Sequence, residues 1–389
     1  MSETFDCILK DLPRHREAYA NAKQLLLSNL VMIGELPAPT YHEAQRVNFI
    51  KDRFNESGIQ QYSSDEAGNA MAILPGTEGA ENILVVSHVD TIFPATSDHT
   101  VSIESDVVRG PGIADNSLGV ASIVSFPELL KTAGVRLKNN LVLLAASRSL
   151  GRGNLEGIRF FLQNNAHPLK AGVCIEGVRL GRLNFASIGM IRGEIQCTVP
   201  EEYDWNRFGA AGAIVTLNEV INKITEIPLP KRPQTSVVFG SIEGGSGYSV
   251  IPTQAVLRFE VRSESAEIVD GISNQIADIA SEVASRTRGN VDLDIFAQRT
   301  PGGISYDHPL AARSRSIIEG LGIEHRVGPS TSELAAMIDH DIPAVTLGLT
   351  QGENLNKPNE SISIEPIFTG LAQVLGVLRA IDEGFCNEH

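Results

Sequence analysis

The spacing of apolar residues changes character along the chain. Between Thr40 and Gly58, Val47, Ile50 and Phe54 recur at helical spacing, the pattern of an amphipathic helix. Thr40 and Glu43 read as a capping box at its start and Gly58 as its stop. Short apolar runs of strand length follow at Met71 to Leu74 and Ile83 to Ser87, with a hairpin pattern around Val101 to Arg109. A helix fits Ser117 to Leu130, a buried strand Asn140 to Ala146, a helix about Asn154 to Leu162, and a strand Gly172 to Ile175. Strands alternating with helices predict an α/β sheet with helices on both faces.

The order then changes. Met190 to Val199 reads as a strand, Ala211 to Ile224 as an amphipathic helix, and Ser236 to Ile242 and Ala255 to Val261 as strands. A long helix over Ala266 to Ser285 and a strand over Val291 to Phe296 complete a β-α-β-β-α-β series, the ferredoxin-like unit. A lid domain at 190–298 is therefore expected, inserted into a discontinuous α/β domain of residues 1–189 and 299–389. Pro343 to Leu347 would return a buried strand to the first sheet.

Length and charge narrow the picture. A chain of 389 residues exceeds one typical core, which agrees with two domains. A formal charge of −15 argues against nucleic-acid or anionic-membrane partners, which require clustered Lys and Arg. No apolar run reaches the roughly 18 residues needed to span a bilayer, and the first residues, MSETFDCILKDLPRHREAYA, lack the apolar stretch of a signal peptide. Cys7, Cys174, Cys197 and Cys386 form no CxxC pair, so a cytoplasmic location is expected.

Two motifs carry candidate chemistry. In Ser87-His88-Val89-Asp90-Thr91, at a strand end, His88 and Asp90 are two apart and share a face. A metal-bound histidine is usually held by a second carboxylate, and this spacing can supply one. The motif alone reads equally as a surface His–Asp pair. In Gly110-Pro111-Gly112-Ile113-Ala114-Asp115-Asn116, the residues alone read as a turn with Asp115 as a helix cap.

Taken in order and at this separation, the motifs resemble the zinc-dependent aminoacylase and exopeptidase family of acetylornithine deacetylase, succinyl-diaminopimelate desuccinylase, peptidase T and glutamate carboxypeptidase. The likeness covers nearly the whole chain. It includes Pro37-Ala38-Pro39-Thr40 with Glu43 and Arg46, Gly68-Asn69, Gly153 to Gly157, and Ile175-Glu176-Gly177. Trp205, Phe208 and Gly209, Gly244-Gly245, Ile251-Pro252, Val261-Arg262-Ser263, Ile342 to Val345 with Gly348, Asn354 and Glu360 extend it. The resemblance implies a three-layer catalytic domain with an inserted α+β lid that pairs subunits. It also implies two zinc ions sharing a bridging aspartate and water, a glutamate general base, and a lid histidine that steadies the oxyanion. His88, Asp115 and Glu176 match the ligands of the first metal, and Asp90 the carboxylate that orients His88. The peptide after Asp115 is expected to be cis.

The chain departs from this pattern at the second metal. The family's Glu-Glu pair falls on Ser149 and Leu150, which removes the base and one metal ligand. Between Asp115 and Glu176 the only acids are Glu128 and Glu156, both in predicted helices. The closing histidine falls on Asn356, and no histidine lies between Asp341 and Glu388. The lid histidine falls on Tyr203, the lid asparagine on Ser249, and an aspartate on Ser332. The expected state is at most one zinc per chain, or none, and little two-metal amide hydrolysis. The alternatives are a catalytically inactive homologue that binds an amino-acid-like or peptide-like ligand, or a regulatory or assembly partner. Arg262, Ser249 and Tyr203 are candidate substrate-binding residues; Arg262 reads either as a grip for a ligand carboxylate or as an ordinary exposed strand arginine. Arg148 is expected to enter the vacated space and pair with Asp115, and a homodimer is expected through residues 190–298.

Overall fold

The computed structural model describes residues 4–79, 81–166, 168–200, 212–287 and 289–388. The chain divides into two compact units, Met1–Ser187 with Gly303–His389, and Ile188–Gly302. The first begins with helices α1 (Phe5–Asn21), α2 (Lys23–Glu35) and α3 (Ala44–Glu56), then strands β1 (Gln61–Ser64), β2 (Ala70–Leu74) and β3 (Asn82–His88). A hairpin, β4 (Ser102–Glu104) and β5 (Val107–Arg109), leads to α4 (Leu118–Ala133), β6 (Asn140–Ala146), α5 (Glu156–Asn164), β7 (Leu169–Val178) and β8 (Arg182–Ser187). The second unit holds β9 (Gly189–Thr198), α6 (Ala213–Thr225), β10 (Thr235–Gly244), β11 (Gln254–Ser263), α7 (Ala266–Arg286) and β12 (Asn290–Arg299). After β13 (Gly302–Gly303), the first unit closes with α8 (Pro309–Gly320), β14 (Arg326–Ser330), α9 (Glu333–Ile338), β15 (Ala344–Thr350), β16 (Gly352–Glu353), β17 (Ser361–Ser363) and α10 (Glu365–Asp382).

The main sheet runs β1-β2-β6-β3-β7-β15-β8, with β14 beside β8. Strand β3 is parallel to β6 and β7, and β7 to β15. These central strands are near-continuous apolar runs because both faces are covered. Ile83 and Val85 join the core built with α4 and α10, while Leu84 and Val86 pack with Leu155, Ile158 and Phe161 and with Leu334 to Met337. The result is the three-layer arrangement expected from the alternating pattern. Parallel β3 and β7 end on the same sheet edge, which brings His88 and Glu176 together.

The second unit is an antiparallel sheet of order β10-β11-β9-β12. Ile191, Ile195, Leu257 and Phe259 pack against Leu217, Val220, Ile272 and Ile276 of α6 and α7. Its element order is the β-α-β-β-α-β series read from the sequence. No helix among the described residues is long and apolar enough to cross a membrane.

Three local features differ from expectation. Helices α1 and α2 precede the helix read as the first. The buried stripe of α1 is Ile8, Leu12, His15 and Tyr19. His15 disguises that stripe as polar, because Nε2 accepts a hydrogen bond from Arg379 of α10 at 2.7 Å. Thr40 and Glu43 form no capping box, and α3 has no side-chain cap. Thr40 Oγ1 donates to Asp90 Oδ2 at 2.7 Å, and Glu43 Oε1 accepts the Arg148 N–H at 2.8 Å. Buried polar groups outcompete an accessible helix end for partners, since a buried group without one costs about 1–3 kcal/mol. Strand β8, also unpredicted, is short and lies between β15 and β14.

Candidate active site

His88 closes β3 and is 4% exposed. Its Nε2 lies 3.0 Å from Asp115 Oδ1. Its Nδ1 lies 3.0 Å from the Asp90 carbonyl oxygen and 3.5 Å from Asp90 Oδ1. The carbonyl is therefore the nearer partner, with Asp90 Oδ1 facing the ring at ion-pair distance and Oδ2 engaged elsewhere. Asp90 Oδ2 accepts from Thr40 Oγ1, from Ser149 N at 3.0 Å and from Leu150 N at 2.8 Å.

Asp115 lies just ahead of α4, and its peptide to Asn116 is cis. Asn116 locks this turn between two strands. Its Nδ2 donates to Ser87 Oγ and to the Ile175 carbonyl, both at 2.8 Å, and its Oδ1 accepts from Gly177 N at 2.8 Å. Gly119 is required by this packing, because a Cβ there would lie 2.3 Å from Ser87 Oγ and 2.5 Å from Asn116 Oδ1. Arg46 supports the adjoining loop. It is fully buried and donates from Nη1 to the Val89 carbonyl at 2.8 Å and from Nη2 to the Leu36 carbonyl at 2.6 Å. Burial draws its pKa down to about 10, against the opposing pull of Asp90 and Glu43.

One ligand atom from each of His88, Asp115 and Glu176 lies within 4.8 Å of the other two. An imidazole with two carboxylates suits a divalent transition ion such as zinc. The electrostatics are those of a dense acidic cluster. Burial lowers the His88 pKa, but hydrogen bonds to Asp115 and Asp90 and the surrounding negative charge outweigh it, leaving the imidazole well above its ordinary value. Burial and then the charge of Asp115 raise Glu176 to about 7, while His88 and Arg182 oppose the shift. Burial acts to raise Asp115 too, but the His88 hydrogen bond and charge prevail and hold it below the usual range.

At Ser149, Leu150 and Asn356 the backbone N–H groups are held by the buried carboxylates of Asp90 and Glu360. Ser149 is 3% exposed, and its Oγ has no hydrogen-bond partner among the described residues. Leu150 is half-buried and Asn356 exposed. The Asn356 N–H donates to Glu360 Oε1 at 2.7 Å, while Glu360 Oε2 accepts from Ala114 N at 3.1 Å. Burial first, then the Asp115 charge, raises Glu360 to about 7 despite those N–H donors.

Arg148 does not pair with Asp115. Its guanidinium binds Glu156 Oε1 at 2.5 Å and lies over the Tyr41 ring, 5.6 Å from the centroid. Its backbone is left-handed, φ 52°, with the N–H held by Glu43, which fixes the turn from which the side chain leaves. Arg182 of β8 supplies the cation instead, with Nη1 3.6 Å from Glu176 Oε2. Glu333, at the start of α9, is also part of this region. It is 2% exposed, its Oε1 has no hydrogen-bond partner among the described residues, and its charge reaches His88 and Glu176. Sequence motifs marked neither residue.

Arg262 and Ser249 belong to the second unit. Arg262 pairs with Glu260 of its own strand, and Arg192 binds the other Glu260 oxygen. Ser249 is exposed with φ 63°. Tyr203, Trp205, Phe208 and Gly209 lie outside the described residues.

A mixed sheet with a parallel centre, His and Glu on its strands, Asp in the adjoining turn and an inserted α+β unit match the zinc-exopeptidase class of fold. The chain belongs to peptidase family M20/M25/M40, whose sequence model matches residues 84–380. Carboxypeptidase G2 of Pseudomonas sp. (strain RS-16) is 23% identical over 323 residues, covering 78% of this chain and 75% of that protein. The dipeptidase Dug1p of Saccharomyces cerevisiae superposes with a TM-score of 0.78 at 12% identity, covering 99% of this chain and 100% of that one. The YXEP protein of Bacillus subtilis, a dinuclear metal-binding peptidase of family M20, gives 0.62 at 15% identity, covering 92% and 97%.

Proposed function

We propose that this protein is a degenerate member of its family, with a site for at most one divalent ion and little two-metal amide hydrolysis. One contrast carries this reading. His88, Asp115 and Glu176 bring ligand atoms within 4.8 Å of one another, whereas Ser149, Leu150 and Asn356 offer a hydroxyl, a hydrocarbon and an amide. When bound, an ion such as zinc supplies Lewis-acid polarisation and acidifies a bound water. His88 would hold it through Nε2, and Asp115 and Glu176 through carboxylate oxygens. His88 can do so only after losing the proton it shares with Asp115. Asp90 keeps the loop of Ser149 and Leu150 in place, but that loop presents no carboxylate to take a proton from water. A positioned general base contributes about 10²–10⁴-fold, so its loss alone removes most of an ordinary peptidase rate.

The ligand class proposed is a small amino-acid or peptide-like molecule. The test is an assay of acetylated amino acids and dipeptides with added zinc, cobalt or manganese. Turnover near background is expected. A kcat/KM near 10⁴ M⁻¹s⁻¹, the lower end for ordinary enzymes, would overturn the reading.

We also propose a homodimer formed through the second unit. Its edge strand β10 exposes Val238, Phe239 and Ile242, and α6 exposes Ile214 and Val215. An uncovered apolar edge strand invites pairing with a second copy. Light scattering at micromolar concentration should give twice the chain mass, and a monomer would contradict the assignment.

A further inference from the structure

Arg182 is the cation nearest the acidic cluster with no evident structural duty. The register explains how it gets there. Strand β7 places Glu176 opposite Gly348 of β15, and β15 pairs Leu347 with Leu183 and Thr346 with Asn184 on its other side. Extending that register by one step would set Gly348 opposite Arg182. A residue without a side chain thus separates the carboxylate from the guanidinium. Gly348 cannot be larger, because a Cβ there would lie 2.3 Å from the Arg179 carbonyl oxygen. The Arg182 side chain is 22% exposed and Glu176 12% exposed.

Their contact is an ion pair at 3.6 Å, longer than the roughly 2.7–2.9 Å of a charge-assisted hydrogen bond. The Arg182 backbone N–H donates to the Arg179 carbonyl at 2.8 Å, while its guanidinium makes no hydrogen bond among the described residues. An arginine that stays ionised and offers a planar fork of donors suits carboxylate binding.

We propose that Arg182 is the fixed cation of this site, balancing Glu176 and Asp115 where the second-metal ligands are missing and receiving the carboxylate of a small ligand on its open N–H groups. This rests on the one-metal reading above and deepens it. The guanidinium is tethered, so it cannot be chelated away, and it competes electrostatically with any ion entering among His88, Asp115 and Glu176.

Arg182→Gln keeps much of the side-chain length without the charge, and Arg182→Lys keeps the charge without the fork. Zinc affinity is read by competition with a chromophoric chelator on the full chain. Removing one positive charge beside a ligand carboxylate should tighten zinc binding by about tenfold or more in Arg182→Gln, with Arg182→Lys close to the unmodified protein. Equal zinc affinity in all three proteins, or Arg182→Lys behaving like Arg182→Gln, overturns the charge-balancing role. Thermal shift with N-acetylglycine and its carboxamide tests the donor role. The acid should stabilise the unmodified protein more than the amide does, and Arg182→Gln should erase that difference. Absence of any acid-over-amide preference in the unmodified protein overturns the carboxylate assignment. Failure of the one-metal reading is seen separately, as two zinc ions bound to the unmodified chain.

Discussion

His88, Asp115 and Glu176 differ from Ser149, Leu150 and Asn356 in side chains far more than in backbone support. The first three keep ligand atoms and converge to within 4.8 Å. The second three carry no carboxylate or imidazole, yet Asp90 still holds Ser149 N and Leu150 N, and Glu360 still holds Asn356 N. A scaffold and the chemistry it presents are therefore separable. The hydrogen bonds that shape the loops serve folding, because buried backbone groups need partners whether or not a metal binds. The Ser149, Leu150 and Asn356 side chains take no part in those hydrogen bonds.

The largest expected effect is at Asp90. If its carboxylate acts chiefly as a scaffold, Asp90→Ala should destabilise the protein by about 3–5 kcal/mol, because two backbone N–H groups and the Thr40 hydroxyl lose a buried, charged acceptor. Denaturant unfolding of the metal-free protein reads this directly. A loss below about 1 kcal/mol, the level of an exposed ion pair, would show that the loop does not depend on it.

A smaller effect is expected from pH. Glu176 and Glu360 are each raised to about 7, chiefly by burial, and His88 is raised by its carboxylate partners against the pull of burial. A group with a raised folded pKa contributes stability that is fully present below its ordinary pKa and lost as pH rises through the folded value. The chelator-treated protein should therefore lose thermal stability between about pH 5 and pH 8. Zinc should restore it at the upper end, since it binds the deprotonated forms of its ligands. A melting temperature that rises over this interval without metal would contradict the charge distribution described here.

The sequence made some parts of this molecule readable and hid others for a physical reason. Continuous apolar runs disclosed β3, β6 and β7, because strands covered on both faces have nowhere to place polar residues. His88 and Glu176 were visible as motifs on β3 and β7, and Asp115 in the turn ahead of α4. Arg182 and Glu333 were not, since their nearness to the site depends on β8 lying beyond β15 and on α9 covering the sheet, which no local spacing encodes. Thr40 and Glu43 had the spacing of a cap but are bound by Asp90 and Arg148, buried partners far away in sequence. Arg148 adjoins Ser149 and Leu150 along the chain, but its left-handed backbone and the nearby Glu156 carry its side chain away from Asp115.

The most direct test is the metal count of the unmodified protein, purified without chelators, dialysed against excess zinc and measured by native mass spectrometry. Intact His88, Asp115 and Glu176, with no carboxylate or imidazole at Leu150 and Asn356, predict no more than one zinc ion per chain. Two tightly bound zinc ions per chain would contradict the account.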